Sequence, residues 1–65
     1  MTDAERAVLQ IVKQIYRDTG APVSTRSVSV RYFMSESNTW RYLRKLTQKG
    51  AVQRIGKCCG YVPVD

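Results

Sequence analysis

The sequence predicts a small α+β domain: three helices followed by a C-terminal β-hairpin. Three observations predict it. Capping residues and a glycine bracket two apolar stripes of helical spacing, over residues 3–18 and 35–49. A shorter capped segment lies between them, at 25–33. Two β-prone runs, "AVQRI" and "YVPV", flank "GKCCG" near the C-terminus, giving a hairpin over 51–64. With 65 residues the chain makes one domain, 1–65. A chain of that size buries only about 60% of its unfolded surface, which suits one core but not an enclosed substrate cavity.

The first helix opens on "TDAE". Thr2 and Glu5 have the capping-box spacing: the Thr hydroxyl accepts from a first-turn N–H, and the Glu reaches back. Asp3 and Glu5 also suit the positive end of the helix. Ala4, Val8, Ile11, Val12 and Ile15 then form one apolar face. Gly20 stops the helix, and "GAP" is loop chemistry.

The second segment, "VSTRSVSVRYF", is capped by Ser24 or Thr25, with Val28 and Tyr32 turned to the core. Its three valines, and the alternation Val28, Val30, Tyr32, make a strand the competitor. The preceding cap, and a second one just after, favour helix. The third helix starts at Ser35 or Ser37 and stops at Gly50. Trp40, Leu43, Leu46 and Thr47 are its predicted apolar stripe, with Trp40 as a core anchor. Asn38, Arg41, Tyr42, Lys45, Gln48 and Lys49 then lie opposite, and Arg44 sits at the border with its stem over Trp40. In the hairpin, Pro63 argues for an edge position.

Charge narrows the function. Eleven Lys and Arg face five Asp and Glu, a net +6 with pI near 9.8. Arg6, Lys13 and Arg17 cancel against Asp3, Glu5 and Asp18, whereas Arg26, Arg31, Arg41, Arg44, Lys45 and Lys49 meet only Glu36. A cationic middle segment points to a polyanion, nucleic acid before an anionic membrane. No apolar run approaches the roughly 18 residues of a membrane span, and the acidic, amphipathic N-terminus is not a signal peptide. The two cysteines, Cys58 and Cys59, are adjacent and form no disulfide framework, which fits a reducing, cytoplasmic setting. Catalysis is a poor fit: the chain has no His, no nucleophile-and-base pair, no phosphate-cradling glycine loop and no paired carboxylates. No cofactor, metal or small-molecule substrate is expected. Adjacent thiols at an exposed tip leave one alternative, a redox sensor or a metal site shared between two copies.

The order of elements, together with "TG-AP-ST-RS", "SESNTWRYLRKLTQKG" and "GAVQRIGKCCGYV", resembles the winged helix-turn-helix family over nearly the whole chain. Within that family the likeness is to DNA-binding domains of the LexA repressor type and similar small bacterial and phage regulators. The spacing Ser35, Thr39, Leu43, Leu46, Gly50 is common to many such regulators. The resemblance implies that residues 35–49 form a recognition helix entering the major groove of double-stranded DNA, that the second helix crosses the backbone, and that the hairpin is a wing. It implies transcriptional regulation, repressor-like. The limited contact area of a single module calls for a homodimer or an additional domain to complete specific binding.

The residue chemistry agrees. Arg41 suits guanine O6 and N7, and Asn38 suits adenine N6 and N7. Ser35, Ser37 and Tyr42 offer single hydrogen bonds. Ser24, Arg26, Arg31, Lys45 and Lys49 suit phosphates, and Arg54 and Lys57 suit the wing's contact with the flanking minor groove. The alternative is a winged-helix module that uses the same basic face for RNA or an acidic protein. The sequence departs from the family in two places. "YFMS" has Phe33 or Met34 where a glycine usually stands, so a longer or differently shaped turn is expected. Trp40 stands where a small or aliphatic residue is usual; a core anchor is its expected role, with stacking on a base as the alternative.

Overall fold

Thr2 and Glu5 close both halves of the capping box: the Thr2 hydroxyl accepts from the Glu5 N–H at 3.2 Å, and the Glu5 carboxylate accepts from the Thr2 N–H at 3.3 Å. From there α1 (Asp3–Thr19) runs to Gly20, whose left-handed backbone (φ 69°) sends its N–H back to the Tyr16 carbonyl at 2.7 Å. The computed structural model describes residues 2–56 and 60–64. Among them follow α2 (Thr25–Tyr32), α3 (Glu36–Gln48), β1 (Val52–Ile55) and β2 (Gly60–Pro63). Three helices and a C-terminal antiparallel hairpin make the α+β layout of a winged helix. No described helix is long and apolar enough to cross a membrane.

Each helix begins on the hydroxyl the sequence offers. Ser24 caps α2 by accepting from the Ser27 N–H at 3.1 Å, and Ser35 caps α3 by accepting from the Asn38 N–H at 3.2 Å. The capped segment 25–33 is therefore helical up to Tyr32, with Val28 buried and Val30 68% exposed. A strand would have placed both on one side. The core joins Val8, Val12 and Ile15 of α1 to Val28, Leu43, Leu46, Val52 and Tyr61. Tyr32 packs partly buried against it, as do Leu9, Ile11, Tyr42 and Ala51.

Trp40 is not a core anchor. It is 46% exposed, and Thr39 takes the buried position at 0%. The stripe of α3 is Thr39, Leu43 and Leu46, an i, i+4, i+7 set turned inward on a helix that packs against α1, α2 and β1. Burying a threonine is inexpensive here, because its hydroxyl donates to the Ser35 carbonyl at 2.9 Å and leaves no orphan donor. Thr47, half-buried, donates likewise to the Leu43 carbonyl at 2.8 Å.

The turn between α2 and α3 spans residues 33–35, without a glycine. Phe33 itself adopts the left-handed conformation (φ 53°, ψ 46°) that glycine usually supplies. Its N–H and that of Met34 both return to the Ser29 carbonyl. The ring is 97% exposed, so no packing offsets the backbone cost.

The hairpin pairs Val52 with Pro63, Gln53 with Val62, Arg54 with Tyr61 and Ile55 with Gly60. Its outer edge is partly covered. Val23, in the segment before α2, exchanges two 2.8 Å backbone hydrogen bonds with Tyr61. Pro63, two residues on, turns the same backbone side outward, so its missing N–H interrupts no bond to β1. Close approach of Val23 requires Gly60: a Cβ there would lie 2.5 Å from the Val23 carbonyl oxygen, and its φ of 136° disfavours any side chain.

Two substitutions test these backbone features. Phe33→Gly relieves the left-handed strain without losing buried area and is expected to stabilise the fold by about 1 kcal/mol, read by urea denaturation. Gly60→Ala is expected to destabilise it by about 2 kcal/mol or more, with loss of amide-exchange protection at Val23 and Tyr61.

Candidate nucleic-acid interface

With Thr39, Leu43 and Leu46 turned inward, successive residues of α3 at roughly 100° place Ser37, Arg41 and Gln48 on the crest of the outward face. Arg44 and then Trp40 occupy one shoulder. Lys45 and Asn38 occupy the other. All seven are exposed. Among the described residues the side chains of Ser37, Asn38, Arg41, Lys45 and Gln48 have no hydrogen bond or ion pair. The Arg44 guanidinium lies 5.4 Å from the centroid of the Trp40 ring, as its border position predicts. At that distance cation and ring attract, and each limits the other's rotamers.

The shoulder carrying Trp40 faces a concave surface built from three elements. On one side the surface is lined by Thr25 of α2 with Glu36, Ser37, Trp40 and Arg41. On the other, Trp40 is joined by Ser24, Arg54, Gly60 and Tyr61. A continuation along α3 runs past Arg44, Thr47 and Gln48. Arg54 reaches this surface because it pairs with Tyr61, and directly opposed residues of an antiparallel pair point to the same face. Arg26 and Arg31 are exposed on α2 and flank Val30 in a separate shallow groove against Ile15 and Thr19.

One cation of the segment is engaged elsewhere. Lys49 Nζ donates to Glu5 Oε2 at 2.7 Å, linking the last turn of α3 to the first turn of α1 across 44 residues. The Glu5 side chain is 5% exposed and that of Lys49 46%. The hydrogen bond from Lys49 pulls the Glu5 carboxyl down from 4.5 to about 2, helped by the Thr2 N–H and hydroxyl and opposed by burial.

The structure thus brings together Ser37, Asn38, Arg41 and Lys45 on one outward face. Ser35 lies at its start with its hydroxyl used as a cap. Tyr42 is half-buried against the core, and Lys49 points to Glu5. Ser24 and Arg54 lie on the concave side. Lys57, Cys58 and Cys59 lie outside the described residues. Sequence reasoning left Trp40, Arg44, Gln48 and Thr25 out of the candidate site. No local signal decided the first two: Thr39 and Trp40 both complete a helical stripe with Leu43 and Leu46, and packing chose Thr39. Comparison with protein-family models and with curated proteins found no match for this chain.

The Glu5 ion pair gives an acid-side prediction. A carboxyl whose folded pKa lies below its unfolded value stabilises the fold above the unfolded pKa, and that contribution is lost as pH falls. Here the loss falls between about 4.5 and about 2. Thermal melts across that range should show Tm dropping more steeply for the wild type than for Glu5→Gln. At pH 7 Glu5→Gln should melt lower than the wild type.

Proposed function

We propose that this chain is a double-stranded DNA-binding domain of the winged-helix type, reading the major groove with α3 and acting in transcriptional regulation as repressors of the LexA type do. The observation that carries the reading is the outward face of α3. It presents Ser37, Arg41, Lys45 and Gln48 without partners among the described residues, and only Glu36 is acidic on that helix. A helix of this diameter fits the major groove, whose base edges Arg41 and Asn38 match in donor and acceptor pattern. Arg26 and Arg31 on α2, with Ser24 at its cap, suit phosphates, which orient such a domain without reading sequence. Arg54 adds positive charge where the hairpin adjoins α3. One module of this kind covers roughly 600–1,000 Å², so tight operator binding calls for a second copy or a second domain.

Selection of bound duplexes from a random pool, followed by titration over a range of salt, tests this. Neutralisation of about five phosphates gives a log–log salt slope of roughly −4 to −5. Arg41→Ala should cost about 1–3 kcal/mol on the selected duplex and little on an unrelated one. No enriched motif, together with a preference for single-stranded or folded RNA, would replace this reading with the RNA-binding one.

A further inference from the structure

We infer that Trp40 is a sequence-blind affinity contact: its indole packs on the sugar–phosphate strand that walls the groove α3 enters. This rests on the DNA-binding reading above and adds to it a residue that charge and base-pairing chemistry do not select.

The position carries the inference. Trp40 is the chain's single tryptophan and is 46% exposed, on a helix whose burial stripe leaves it outside. It lies on the shoulder of α3, away from the crest of Ser37, Arg41 and Gln48. A helix with its side chains measures about 10–12 Å across, and the major groove is about 12 Å wide. The crest of an inserted helix therefore meets base edges, while its shoulders meet the groove walls, which are deoxyribose and phosphate. Reading a thymine methyl requires a crest position. Stacking on a base requires that base to leave the duplex stack, which a rigid helix shoulder does not bring about.

The surroundings match that occupant. Cations flank the ring: Arg44 stacks at 5.4 Å, Arg41 lines the surface on one side and Arg54 on the other. Ser24 and Thr25 line the same concavity, the Ser24 hydroxyl also capping α2. An apolar face bordered by three arginines and hydroxyl-bearing residues, with Glu36 as the one acidic residue lining it, suits a ligand that alternates a sugar ring with an anionic group. The indole N–H has no partner among the described residues and can donate to a phosphate oxygen. Arg44 is the positioning residue: it holds the ring against rotation and adds charge beside it.

The test compares wild type, Trp40→Ala and Trp40→Phe on a selected duplex and on a scrambled one. Because Trp40 is the only tryptophan, its fluorescence reports contact directly, and the wild type should change emission on both duplexes. Trp40→Ala should weaken both by the same factor, roughly tenfold, leaving their affinity ratio and the salt slope unchanged. Trp40→Phe should recover most of the loss, and circular dichroism should show all three folded, since the residue lies outside the core. A collapsed affinity ratio in Trp40→Ala makes Trp40 a base reader and overturns the inference. So does unaltered affinity in that variant, or wild-type emission that ignores duplex. If the wild type binds no duplex at all, the DNA-binding reading itself fails, and this inference fails with it.

Discussion

α3 is held against its neighbours α1 and α2 by a narrow stripe, Thr39, Leu43 and Leu46, and the surface chemistry of the domain follows from that narrowness. Three inward positions occupy well under half of a helix circumference. Everything from Trp40 round to Lys45 is left in solvent. Had the stripe been centred on Trp40 instead, the helix would be rotated by most of a residue step, roughly 100°, and Arg44 would be driven toward the core. Thr39 makes the narrow stripe possible. It is small enough to bring α3 close to its neighbours, and its hydroxyl is satisfied inside its own helix.

The angular position of α3 is reinforced at its far end by Glu5. One carboxylate oxygen completes the capping box with Thr2, and the other receives Lys49. The same group therefore starts α1 and ties down the last turn of α3. The pair also keeps Lys49 from the outward face, so the cations there are those nearer the start and middle of the helix. A carboxylate so thoroughly hydrogen-bonded is buried at little penalty, because its charge is met by an ammonium and two donors of Thr2.

Backbone hydrogen bonds position the hairpin. Tyr61 is held between β1 and Val23, which ties the wing to the segment leading into α2. The packing of Tyr61 into the core then sets the height of Arg54 beside Trp40. Gly60 is the residue that lets Val23 come so close. The three elements meeting at Trp40 are thus anchored independently: α3 by its stripe, α2 by the Ser24 cap and Val28, and the wing by the Val23 bridge. That arrangement makes the concave surface beside the outward face of α3 a feature of anchored elements rather than a gap between loops.

Local chemistry was legible in the sequence. Thr2 with Glu5, Ser24, Ser35, Gly20 and Gly50 each act within a few residues, so caps and stops located all three helices to within a residue or so. The hairpin was legible for the same reason, since its two runs are neighbours in the chain. The outward cations were legible because acidic partners are scarce around them. What the sequence could not decide by itself was which of two adjacent residues, Thr39 or Trp40, faces inward. Hydrophobicity favoured tryptophan, but the space available is set by the packing of α3 against α1, α2 and β1, segments distant in the chain. The Glu5–Lys49 pair, the Val23–Tyr61 bridge and the tolerance of a left-handed Phe33 are of the same kind. Each depends on where distant segments are brought by packing, and only the tertiary structure brings them there.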